Sequence, residues 1–246
     1  MLIAVEGIDG SGKATQVQKL VARLTNQIYE EDSIEDAKRV HKNVAHFAFP
    51  DYDRTKFGPH IKNYLRGGFG PLDANDPFLV SLLYALDRFE NRDSILHWLG
   101  HCHAIVVCDR YVSSNLAHQA SKLAKLAPDN WRPLARDIEI VEYEVLGLPK
   151  PDLVIYLDLN AEQSYKRTHV RDDSADIHQD NTDYLYWVRE VYLDYASTYK
   201  SWHLVKCFDG DRERTIDEIH EDIWEIVTQA RAQFEAEILA ARGAVQ

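Results

Sequence analysis

The sequence predicts an α/β fold, a five-stranded parallel sheet flanked by helices on both faces. Three observations predict it. Five short apolar runs recur along the 246 residues, at 2–6, 44–49, 104–108, 153–157 and 204–208. Helical patterns separate them, and strands alternating with helices make a parallel sheet covered on both sides. A glycine-rich loop joins the first run to the first helical pattern.

Each element has a local reason. After the strand at 2–6, apolar residues at Val17, Leu20, Val21 and Leu24 mark a helix over 13–24. An acidic, irregular stretch follows, and the strand at 44–49 is stopped by Pro50. A short helix at 57–65 is closed by Gly67 and Gly68, and a long one spans 76–99 with Pro77 just inside its start. The run at 104–108 is wholly apolar, as a strand buried on both faces requires. A helix over 131–146 ends at Gly147, and a closing helix covers about 213–241. Without repeats or a Gly/Ser linker, residues 1–246 read as one domain.

Composition narrows the function. The chain is 45% apolar and 11% aromatic, enough for a sizeable core, and no run reaches the roughly 20 apolar residues of a membrane span. A formal net charge of −12 argues against binding a nucleic-acid backbone, but leaves room for small anions held by a few convergent cations. Part of the excess acid lies in 29–36 and along the last helix, where it reads as solvated surface. Cys102, Cys108 and Cys207 match neither zinc spacing nor a disulfide framework. The opening MLIAVEGIDG is a strand running into a loop, not a signal peptide, so a cytoplasmic location is expected.

Gly7-Ile8-Asp9-Gly10-Ser11-Gly12-Lys13 has the spacing of a phosphate-binding loop. Glycines let the backbone N–H groups turn around an anion, and the helix N-terminus adds partial positive charge. The nucleoside triphosphate is therefore expected on Gly7, Gly10, Ser11, Gly12, Lys13, Ala14 and Thr15, with Lys13 reaching the β- and γ-phosphates. The residue after such a lysine is ordinarily Ser or Thr, whose hydroxyl coordinates Mg²⁺. Here it is Ala14, and Thr15 points about 100° further round the helix. Asp9 and Asp109 are the expected metal carboxylates in its place.

The strand at 104–108 runs into Asp109-Arg110-Tyr111. In an open α/β sheet the ligand crevice lies beyond the carboxyl ends of the strands. A carboxylate there can hold a metal or its water, and an arginine can grip a phosphate with two parallel hydrogen bonds.

Residues 7–15, Phe49-Pro50-Asp51-Tyr52, Leu86-Asp87-Arg88, Asp109-Arg110-Tyr111 with Ser114-Asn115, and Leu148-Pro149-Lys150-Pro151-Asp152 stand in the order and spacing of thymidylate kinases. The chain resembles that family from Met1 to about Gly210. The resemblance implies a P-loop kinase fold, a homodimer, and transfer of the γ-phosphoryl of ATP to dTMP with Mg²⁺, supplying dTTP for DNA synthesis. It implies that Asp9, Phe49 and Tyr52 line the dTMP pocket near the acceptor phosphate, with Tyr84 stacking on thymine. Arg88 and Asn115 would read the base, and Arg110 would bind the dTMP phosphate.

The family also needs an arginine on the transferring phosphoryl, from the phosphate loop or from a mobile lid. This loop has none, so Arg167 and Arg171, one turn apart ahead of a polar stretch, are the expected catalytic lid arginines (lid about 167–183) beside Lys13, Asp9 and Arg110. Where relatives carry Ala-Tyr-Gln, with Tyr beneath the deoxyribose, this chain has Ala117-His118-Gln119. Two rival readings share the loop: a deoxynucleoside kinase, for which Glu6 would be the base, and a non-catalytic nucleotide-binding regulatory protein, suggested by Ala14.

Overall fold

A computed structural model describes residues 1–31, 43–101, 103–127, 130–169 and 182–243. Strands β1 (Leu2–Glu6), β2 (Val44–Ala48), β3 (Ile105–Asp109), β4 (Leu153–Asp158) and β5 (Trp202–Lys206) form one parallel sheet in the order β2-β3-β1-β4-β5. β1 is central and every residue of it is buried, which explains its unbroken apolar composition. The order places the end of β1 beside the end of β3, and the crevice opens there.

Helices α1 (Lys13–Glu31), α2 (Gly58–Leu65), α3 (Pro77–Leu99), α4 (Val112–Ala124), α5 (Arg132–Glu139), α6 (Ala161–His169), α7 (Thr182–Thr198) and α8 (Ile216–Gly243) surround the sheet. α3 starts where the sequence places it: Asp76 caps the N–H of Leu79, and Pro77 occupies the first turn. α8 begins three residues later than expected. Thr215 and Glu218 form a capping box there, with Glu218 N bonded to Thr215 Oγ1 at 3.2 Å and Thr215 N to Glu218 Oε2 at 2.8 Å. Lys19–Asp217 and Arg23–Glu221 then tie α8 to α1.

Three further expectations needed correction. The last sheet strand is Trp202–Lys206, not 204–208; Phe208–Asp209 instead pairs antiparallel with Arg212–Glu213 as the hairpin β6–β7. β5 lies at the sheet edge and only Val205 is fully buried, so its true span lacks the apolar continuity of a central strand. The helix read over 131–146 is α5 followed by a π-helical turn at Ile140–Val145, closed by Leu146 N to Val141 O at 2.8 Å. α4 and α7 had no counterpart in the sequence reading. α4 is buried almost all round, polar Ser113, Ser114, Asn115, His118 and Gln119 included, so its burial does not follow an apolar pattern.

Candidate active site

The phosphate loop is built by backbone constraints. A Cβ on Gly7 would stand 2.8 Å from the Leu157 carbonyl oxygen, and Gly12 has φ +88, so both positions require glycine. Lys13 folds over the loop, donating to Ile8 O at 2.8 Å and Ser11 Oγ at 3.4 Å. Burial, with the nearby Arg110 charge, lowers its ammonium pKa to about 8.

At the end of β3 the chain turns sharply: Arg110 has φ +63, a strained conformation for a residue with a side chain. Glu6 holds that turn. Its carboxylate accepts from Tyr111 N at 2.9 Å, Ser114 Oγ at 2.6 Å and Tyr192 OH at 3.1 Å, and burial pushes its pKa up. Arg110 is thereby aimed back at the loop, where it donates to Asp9 Oδ1, to Gly7 O at 3.3 Å and to Ser114 Oγ at 3.4 Å. Burial alone would lower its pKa, but Asp9 and the surrounding acids outweigh that and keep it charged.

His118 lies beside Arg110. Tyr184 OH donates to His118 O at 3.0 Å and therefore accepts from His118 Nδ1 at 2.9 Å. That leaves His118 Nε2 as an acceptor for Arg110 Nη1 at 3.4 Å.

A cavity of about 360 Å³ runs from this loop to a wall formed by α3 and α4. Gly10, Gly12, Lys13, Ala14 and Thr15 border one end. Phe49 and Tyr52, after β2, border its side, where the Phe49 ring packs against Tyr111 at 6.1 Å. Buried Asp87 fixes that connection by accepting from Asp51 N at 3.0 Å and from Thr55 Oγ1. Tyr84, Arg88, Asn115, His118 and Gln119 form the far wall.

Arg88 is buried and bound at both ends of one carboxylate: Nε and Nη2 each reach Glu142 at 2.6 Å. Burial opposes its charge, but Glu142 more than offsets this and its pKa rises. Nη1 is left for a ligand. Asn115 Nδ2 donates to Ser81 O at 2.9 Å and to Glu142 Oε1 at 2.8 Å, so its amide orientation is decided. Its Oδ1 is buried and unpartnered. Gln119 is similarly placed: Oε1 accepts from Lys122 at 2.7 Å and Nε2 is unpartnered. Buried polar atoms left in this way, on the wall of a cavity, can be satisfied by water or by a polar ligand.

The structure thus gathers every residue expected of the dTMP site around one cavity. Gly7 and Ser11 stand behind it rather than on its lining. Arg167 lies on α6, packed on the phosphate loop, with Nη1 on Gly10 O at 2.7 Å and Nη2 on Glu213 at 2.6 Å. Arg171 and most of the expected lid fall outside the described residues, as do Cys102 and residues 32–36 of the acidic stretch. Glu142 was missed. Its signal was an acid at four residues from Ile138 and eight from Leu134, on the apolar face of its helix.

Two carboxylates were expected to hold Mg²⁺, and they differ. Asp9 is engaged by Arg110, whereas the Asp109 carboxylate borders the cavity with no side-chain hydrogen bond or ion pair among the described residues. No group of three or more metal-ligating side chains occurs among the described residues. A single open carboxylate beside a phosphate loop does fit Mg²⁺, which is commonly held by one or two carboxylates plus substrate phosphates.

A sequence model of thymidylate kinase matches residues 5–223. The chain belongs to the thymidylate kinase family. It is 33% identical to the thymidylate kinase of Mycobacterium tuberculosis over 171 residues, covering 70% of this chain and 72% of that one. It is 30% identical to a probable thymidylate kinase of Staphylothermus marinus over 230 residues, covering 92% and 94%. The solved thymidylate kinase of Candida albicans shares the fold with a TM-score of 0.68 at 22% identity, covering 94% of this chain and 92% of that one. Membership in the thymidylate kinase family accounts for the P-loop fold and for the order of motifs along it.

Proposed function

We propose that this chain transfers the γ-phosphoryl of ATP to dTMP, forming dTDP and ADP. One observation carries the reading. A single cavity joins Lys13 of the phosphate loop to a wall where Arg88 offers a donor and Asn115 an acceptor. Thymine presents that complement, a carbonyl beside an N3–H, whereas cytosine presents an amino group beside a bare N3. Tyr84 supplies the stacking face.

In this arrangement ATP lies on Gly10, Gly12, Lys13, Ala14 and Thr15, and dTMP lies beyond them with its phosphate between Arg110 and Tyr52. A phosphate oxygen of dTMP attacks the γ-phosphorus in line as the bond to the β-bridging oxygen breaks and ADP leaves. That oxygen is already anionic at neutral pH, so the step needs no protein base. Lys13, Arg110 and Arg167 neutralise charge on the equatorial oxygens, and Arg171 is assigned to the same task. Mg²⁺, when bound, would offset phosphate charge; Asp109 would be the residue to hold it, with Asp9 as its neighbour.

The deoxynucleoside-kinase alternative is disfavoured by Glu6, whose carboxylate is fully buried and already accepts three hydrogen bonds. Gln119 Nε2 remains a further donor for the acceptor. Assembly as a homodimer and a cytoplasmic location are part of the proposal on family grounds. No described helix is long and apolar enough to cross a membrane. Coupled ADP release across dTMP, dUMP, CMP, AMP and thymidine tests the reading. Efficient turnover is expected with dTMP alone among these or with dTMP and dUMP; preference for AMP or thymidine would overturn it.

A further inference from the structure

We infer that Glu142 tunes base specificity, by locking, together with the Ser81 carbonyl, the hydrogen-bonding polarity of the base-reading wall without touching the base. The inference rests on the proposal that dTMP is the acceptor. Glu142 is wholly buried on a π-helical turn and does not border the cavity. Its carboxylate contacts both base-reading side chains at once: Oε2 takes Arg88 Nε at 2.6 Å, and Oε1 takes Arg88 Nη2 at 2.6 Å and Asn115 Nδ2 at 2.8 Å.

The consequence is chemical. An ionised carboxylate only accepts, so the Asn115 amide must turn its NH₂ toward Glu142. The Ser81 carbonyl, at 2.9 Å, enforces the same orientation. A flip would place Asn115 Oδ1 against two acceptors. With both amide hydrogens consumed, the cavity side of Asn115 is an acceptor and cannot donate. It therefore receives the N3–H of thymine or uracil and leaves the bare N3 of cytosine unpaired. The same carboxylate fixes the guanidinium plane of Arg88, so the donor for the neighbouring carbonyl stands beside that acceptor.

Glu142→Gln separates this role from plain support. An amide carries one acceptor and one donor group, so it can bond Asn115 in its flipped state and removes one of the two locks. Discrimination between dTMP and dCMP, as a ratio of kcat/KM values, should fall by about tenfold or more, the weight of one hydrogen bond to a charged group. The dTMP to dUMP ratio should stay put, because both bases share the N3–H and O4 edge. A merely structural loss would lower all three substrates together and leave both ratios unmoved. If Glu142→Gln does not fold, Glu142→Asp makes the same test, since the shorter carboxylate cannot reach Arg88 and Asn115 together. An unchanged dTMP to dCMP ratio in the variant that folds overturns the inference. Failure of the unaltered protein to use dTMP would instead overturn the proposed function.

Discussion

Arg110 Nη2 donates to Asp9 Oδ1, so the first residue after β3 is tied to the middle of the phosphate loop. One ion pair therefore couples the residue aimed at the acceptor phosphate to the loop aimed at the donor. It also divides the work of the two carboxylates, because Asp9 is engaged and Asp109 is open.

Asp109→Asn should raise the Mg²⁺ concentration needed for half-maximal activity by about tenfold or more, the usual cost of a weakened metal shell. Asp9→Asn should act mainly on KM for dTMP through a looser Arg110. Mg²⁺ titrations at saturating substrates compare the two. Equal shifts in Mg²⁺ requirement for both variants would return the metal to a shared site.

The Lys13 ammonium is charged below about pH 8 and loses its proton as pH rises through that value in the free protein. Bound phosphate oxygens favour the charged form and move the loss to higher pH. Accordingly, kcat/KM for ATP should decline above about pH 8, while kcat at saturating ATP holds further into the alkaline range. Parallel pH profiles for the two constants would remove Lys13 from the limb.

Arg167→Ala should lower kcat by about 10³-fold, with a smaller change in KM, if its charge acts on the transferring phosphoryl. Steady-state kinetics in both substrates measure this. An unaltered kcat would leave Arg167 as a brace between Gly10 and Glu213.

Arg88→Met should destabilise the fold by about 3–5 kcal/mol, because it leaves the buried Glu142 carboxylate without its cation. Urea unfolding reads the change directly. A shift below about 1 kcal/mol would be contrary to a tightly closed pair.

His118→Tyr should sharpen rejection of the 2′-hydroxyl, raising the dUMP to UMP ratio of kcat/KM, since a larger ring then stands on the cavity wall. The ratio is expected to rise several-fold, by an estimate of about 1 kcal/mol for one displaced polar contact. No movement of the ratio would place the sugar elsewhere.

By itself the sequence determined the phosphate loop, the central strands and which residues meet around the cavity. The loop and the strands are local matters, whereas the residues around the cavity were named by resemblance to a family. Gly7 has no room for a Cβ and Gly12 needs a positive φ, so the loop is written in its glycines. β1 and β4 are buried along most of their length, so they are written as apolar runs. Where burial was partial or came from every side, the pattern failed, as at the edge strand β5 and the enclosed helix α4. Chemical roles were decided only by tertiary structure. Glu6 could serve as a base on paper, until three donors from the turn after β3, from α4 and from α7 closed around its carboxylate. Arg88 and Asn115 were legible as readers of a base, but what each offers depends on Glu142, 54 and 27 residues away in the chain. A hydrogen-bonding group presents to a ligand only what its other partners leave over, and those partners are brought together by folding.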